Sequence, residues 1–202
     1  FFTDIIQHDR SILEVVDSDA TFVNRKMARH YAITPSNVFD GKMDQWIRIR
    51  GMKSRSRGGV LGMSVLLAKQ SGATRTSPVL RGNWIVETLL GERIPDPPPT
   101  VPELPDKISS QGLTVRQLTE QHVRAPQCAS CHVRIDPYGF ALESFDAIGR
   151  FRTRDLVNKL VDTSARLRDG TQFKGIAGLR KYILKKRRAD FVRQFCRKLL
   201  GY

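Results

Sequence analysis

This 202-residue chain is poor in cysteine, and its three thiols, Cys128, Cys131 and Cys196, cannot form a disulfide framework. It has neither methionine nor histidine beyond His132: the methionines are Met27, Met43, Met52 and Met63, and the histidines are His8, His30, His122 and His132. No apolar run approaches the length of a membrane span. The chain opens at Phe1-Phe2-Thr3-Asp4, with no start methionine or basic leader, so a processed or partial chain is expected. Acidic residues are also short, 20 against 34 lysines and arginines, for a net charge of +14. No nucleic-acid motif accompanies that charge, so nucleic acid is not the expected partner.

What is present is Cys128-Ala129-Ser130-Cys131-His132. C-x-x-C-H is the attachment pattern of a c-type haem. Two thiols three residues apart share one side of a helical turn, and each can add to a haem vinyl group as a thioether. The histidine that follows can reach the iron from the proximal side. The rival chemistries fit less well. A structural zinc site needs two further ligands at a recognisable spacing, and only Cys196 is left. A thioredoxin-like pair needs a β-α-β setting, which the helical segment before Ala125-Pro126-Gln127 does not supply. A Cys128–Cys131 disulfide would close only a very small loop. One covalent haem c is therefore the expected cofactor, and covalent attachment places the chain outside the cytoplasm, in the periplasm or beyond.

With no methionine or histidine after His132, a sixth iron ligand has to come from upstream, or the position is open. Met63 follows a glycine in the apolar stretch Val60–Leu67 and is the preferred candidate. Met27 lies among Arg25, Lys26 and Arg29, and Met52 in a basic loop. His30 is the runner-up. His122 is so close to the motif that its helix would have to fold sharply to reach the opposite haem face.

The fold expected is mainly α: a helical, cytochrome c-like haem domain with a small β-hairpin and a Pro-rich linker. Residues 1–92 form the helical region that supplies the distal haem side, 93–112 the linker, and 113–202 the haem-attachment domain. Helices are expected near Asp9-Arg10-Ser11 and from about Thr21 to before Pro35, with a short strand over 45–50. Ser77-Pro78 is an N-cap with proline at the first helical position, and Gly91 a C-terminal stop. Six prolines between Pro95 and Pro105 mark extended chain. Thr114-Val115-Arg116-Gln117 reads as a capping box. Asp136-Pro137 reads as the start of a fresh helix carrying Phe140, Ala141, Leu142 and Phe145. Residues 160–174 read as a hairpin turning at Asp169-Gly170. Two helices close the chain, from about Ile176 and Ala189, the second placing Cys196 on an apolar face as a buried, inert thiol.

The segments Arg75-Thr76-Ser77-Pro78-Val79-Leu80-Arg81-Gly82 with Trp84, and Cys128–His132 with Asp136–Glu143 and Phe145–Arg150, resemble signatures of a large secreted cytochrome family of planctomycete-type bacteria. Asp169–Gly175, Lys198–Tyr202 and Phe1–Tyr31 resemble neighbouring parts of it. The resemblance implies a haem protein, secreted, of which this chain is the C-terminal part. It also implies that the position of Met63 commonly holds methionine or histidine. Cys196 departs from the expected place of the family's cysteine.

The favoured function is electron transfer by six-coordinate iron between His132 and Met63. Arg75, Arg81 and Arg150 are candidates to neutralise the haem propionates, and Trp84 to pack on the ring. The alternatives are a haem peroxidase or oxidase with an open distal side and His30 as acid–base group, and a structural haem domain in a larger assembly. Residues 151–202 hold 15 lysines and arginines against 4 acidic residues. That field favours an acidic redox partner, with Lys185, Lys186, Arg187 and Arg188 at its centre.

Overall fold

The computed structural model describes residues 1–33, 44–95, 112–123 and 126–201. Most of the expected linker, and Pro35 where the helix from Thr21 is expected to stop, lie outside the described residues. The fold is mainly α, as expected. In chain order come α1 (Phe2–Gln7), α2 (Glu14–Asp17), β1 (Thr21–Val23), α3 (Arg25–His30) and β2 (Ile47–Ile49). A single 3₁₀ turn, Val60–Gly62, leads into α4 (Ser64–Lys69). Then α5 (Pro78–Asn83) continues as a π-helical turn over Trp84–Leu89. After α6 (Val115–His122) and α7 (Pro126–Phe140) come β3 (Ser164–Arg166), β4 (Gln172–Lys174), α8 (Gly175–Lys186) and α9 (Arg188–Leu200).

Local signals in the chain account for several of these boundaries. The Ser77 hydroxyl accepts from the Leu80 N–H at 3.2 Å, with Pro78 at the first turn, where its missing N–H costs nothing. Thr114 and Gln117 form both halves of the capping box. The β3–β4 hairpin pairs Ala165 with Phe173, and Gly170 takes φ +83° in its turn.

Other expectations are corrected. Residues 21–23 are a strand, not the start of a helix. Thr21 and Val23 are β-branched and pair with Ile49 and Ile47 of β2, and the helix begins only after Asn24, whose side chain caps the Met27 N–H at 2.9 Å. No new helix starts at Asp136: α7 runs unbroken through Pro137. Pro137 has no N–H to give the Val133 carbonyl, and Val133, on the outer face of α7, is 41% exposed. Cys196 is exposed, not buried. Helix α9 meets the core through Phe191, Val192 and Phe195, and its last turn projects beyond, with Leu200 86% exposed.

One buried cluster joins the two halves of the chain. Val16, Leu61, Leu67, Ile85 and Val86 from the first half meet Ile135, Leu142, Phe145, Leu179, Ile183 and Phe191 from the second. Helices α5 and α7 cross at two glycines. A methyl group on Gly82 would stand 2.0 Å from the Ile135 carbonyl oxygen, and one on Gly139 1.9 Å from that of Pro78. Backbone thus touches backbone, and neither neighbour has a flexible end that could yield. Gly139→Ala is expected to destabilise the fold by about 3 kcal/mol, the upper part of the usual overpacking range. Equilibrium urea unfolding checks this: an unchanged midpoint would show that α5 and α7 can separate freely.

Candidate functional site

Helix α7 carries the C-x-x-C-H. Cys128 is buried, Cys131 is half-buried, and both are free thiols. In one unbroken helix, positions 128 and 131 are neighbours on the surface, with His132 one step round. Four residues on, Asp136 is 5% exposed, and its two oxygens lie 2.9 and 3.0 Å from His132 Nδ1. A carboxylate can only accept, so the neutral imidazole carries its proton on Nδ1 and keeps its lone pair on Nε2. Burial pushes the Asp136 carboxyl above its ordinary range, against the opposing pull of the His132 hydrogen bond. His122, at the end of α6, lies edge-on to His132 with ring centroids 5.3 Å apart. Burial, and then repulsion from His132, lowers its pKa.

The donor set fits a c-type haem: two unpaired thiols, and an imidazole whose second nitrogen is already taken. Among the described residues, no cluster of three or more histidine, cysteine or acidic side chains is arranged to hold a metal ion by itself.

The other candidates are held by different elements. Met63 closes the 3₁₀ turn and precedes α4; it is half-buried against the main core. Its neighbour Ser64 donates from its backbone N–H to Tyr31 Oη at 3.1 Å and from its hydroxyl to the Gly149 carbonyl at 3.2 Å, so this corner is firmly placed. Trp84 is packed on the same core and borders a narrow apolar crevice with Leu66, Leu67 and Leu142. His30 has its Nε2 engaged with the Ile148 carbonyl at 2.9 Å, where it ties down the loop after Phe145. Arg75 is buried, with its guanidinium 3.3 Å from the Thr76 carbonyl, and Arg150 is exposed.

Arg81, expected as a candidate to neutralise a haem propionate, lies in the interior. It is 1% exposed and donates to the carbonyls of Leu142, Phe145 and Asp146 at 3.0, 2.9 and 2.7 Å. It also pairs with Glu143 at 3.4 Å, and Glu143 in turn meets Arg152 at 3.0 Å and the Thr76 hydroxyl at 2.8 Å. Burial pulls the Arg81 guanidinium down to about 10, so it stays charged at neutral pH. Its two terminal nitrogens donate to the protein's own oxygens, on the segment that follows α7 and, from Nη2, to the Ser71 hydroxyl at 2.9 Å.

Sequence reasoning missed Asp136 as the partner of His132. The signal was the i,i+4 spacing, hidden by the assumption that Pro137 breaks the helix. It also missed Arg57, a buried cation that donates to the Gly62 and Gly149 carbonyls at 2.8 Å and lies 4.0 Å over the Tyr31 ring. A lone arginine in a Gly-rich basic loop carries no sign of burial.

Residues 57–155 match the family model PSCyt3, described as a protein of unknown function (DUF1588). Its name is that of a planctomycete cytochrome-like domain family, and the matched stretch contains Met63, Trp84, the C-x-x-C-H and Arg150. No curated protein and no solved structure matches the chain. Among the described residues, no helix is long and apolar enough to cross a membrane.

Arg81→Met is expected to cost about 3–5 kcal/mol, because it leaves three interior carbonyls without their donor and removes one of the two guanidiniums beside Glu143. Arg81→Lys should restore only a small part, since a single ammonium cannot span those acceptors. Thermal unfolding of both variants checks this; wild-type melting of Arg81→Met would return Arg81 to a peripheral role.

Proposed function

We propose that this chain is an electron-transfer module of the c-type cytochrome kind, part of a longer extracytoplasmic protein. It carries one covalent haem c and works outside the cytoplasm. The observation that supports this best is the coexistence on α7 of two free thiols and an imidazole with only Nε2 to offer. Cys128 and Cys131 would hold the group by thioethers, and His132 Nε2 would be its proximal ligand. Met63 is the proposed distal ligand; a thioether there favours ferrous iron and raises the potential. The bound haem supplies a one-electron couple.

The protein's own part is to hold and shield. Asp136 orients His132, and the buried cluster behind α7 limits solvent access. Trp84 is proposed to pack near the ring. Arg150 and Arg75 remain the arginines proposed for the propionates, since the guanidinium of Arg81 is committed elsewhere. Nε2 of His30 lies 2.9 Å from the Ile148 carbonyl, so the peroxidase-type alternative would require His30 to give up that contact before it could act as acid or base.

An acidic redox partner remains the proposed docking counterpart, with one change to the patch. Lys185, Lys186 and Arg188 are exposed, but Arg187 is internal to a network. It bonds Asp190 at 2.5 Å, Glu92 at 2.6 Å and Tyr138 Oη at 3.4 Å, and Arg134 reaches the same Glu92 at 2.9 Å. Its charge therefore ties α9 to the end of the π-helical turn rather than facing a partner.

Denaturing mass spectrometry of the natively produced protein is expected to give the chain mass plus one haem, and the bare polypeptide mass would reject the proposal. For the distal side, Met63→Ala should convert a low-spin spectrum to high-spin or ligand-exchanged haem, while Met27→Ala leaves it unchanged. A low-spin spectrum that survives Met63→Ala would pass the assignment to His30.

A further inference from the structure

The carboxyl group beside the His132 imidazole is buried and hydrogen-bonded on a rigid element. His132 and Asp136 are one helical turn apart on α7, with side-chain exposures of 12% and 8%, so their mutual geometry needs no loop to hold it. The turn carrying Asp136 is pinned by its neighbours: Ile135 and Gly139 lie against α5 at the glycine crossing. Arg116 of the neighbouring α6 packs its guanidinium 4.0 Å over the Phe140 ring of the same helix as Asp136. Nδ1 of His132 thus faces the two oxygens of a side-chain carboxyl group, not a backbone carbonyl.

We infer that Asp136 is a proximal positioning residue that locks His132 in its Nδ1–H form and lowers the midpoint potential of the haem His132 holds. The inference rests on the haem reading above. A carboxylate accepting the Nδ1 proton makes the imidazole a stronger donor through Nε2. Added electron density on the iron side stabilises the ferric form. This acts against the thioether of Met63, which favours ferrous iron. The chain therefore carries two opposed settings of one potential, on residues 73 positions apart in sequence. Breaking either should move the potential in a known and opposite direction.

Asp136→Asn tests this, because it keeps an oxygen for Nδ1–H and removes only the charge. Haem attachment is first verified by mass in both proteins; its absence from the wild type fails the haem reading, not this one. With haem present, the Asn variant should show a higher midpoint potential. At a poise equal to the wild-type midpoint, its ferrous-to-ferric ratio should rise about tenfold, which is 59 mV for a one-electron couple. Glu120→Gln removes an exposed carboxylate on neighbouring α6 and should leave the midpoint where it was. An Asn midpoint equal to the wild type's, or a shift no larger than that of Glu120→Gln, overturns the inference. Should Asp136→Asn fail to fold, the wild type alone decides through nitrogen NMR of the His132 ring in the protein as produced. A proton on Nδ1, protected from exchange, is the expected result, and a proton on Nε2 instead would overturn it.

Discussion

The geometry of the haem-motif helix depends on the buried charge of Arg81. Helix α7 ends at Phe140, and the chain then turns several times before the loop at Gly149. The carbonyls of this turning segment point inward, where water cannot satisfy them. Arg81 gathers three of them, with Glu143, into one guanidinium. A planar fork of five donors suits this task, whereas an ammonium would serve only part of it. The same side chain comes from α5, so it locks α5 to the far end of α7 while the glycines lock the middle. Whatever α7 holds at Cys128, Cys131 and His132 is placed relative to a helix that cannot slide.

Arg57 and Arg180 extend this design. Arg57 bridges the Gly62 and Gly149 carbonyls, beside the corner that presents Met63. Arg180 of α8 donates to the Arg57 and Gly58 carbonyls and meets Asp17 at 3.2 Å. The high net charge of this chain is thus not only a surface property. Part of it is spent inside, where each guanidinium replaces several backbone partners that irregular loops cannot provide. That use of arginine leaves the charge of a docking face to exposed residues such as Lys185, Lys186 and Arg188.

The continuation of α7 through Pro137 has a chemical consequence. A helix broken at Asp136 would turn that carboxylate towards its own N-terminus as a cap. An unbroken helix leaves it one turn below His132, as the acceptor of the Nδ1 proton. The choice between cap and acceptor is made by packing: the backbone contact of Gly139 with Pro78 holds the second half of α7 in line with the first.

By itself the sequence determined the chemistry offered and the local punctuation. C-x-x-C-H names its own donors, because adjacent positions of one helix need no distant partner to come together. Ser77-Pro78, Thr114–Gln117 and Asp169-Gly170 act within a few residues, so their caps and turn follow from residue type alone. The tertiary structure decided what depends on distant chain. The strand at Thr21–Val23 exists because β2 pairs with it, and the exposure of Cys196 because α9 outruns the core that its first half covers. Asp136 became the partner of His132, and Arg81 an internal clamp, because α5 and α7 press together at two glycines. A side chain's type states what it can bond to, but which partner arrives is set by the packing of helices far apart in sequence.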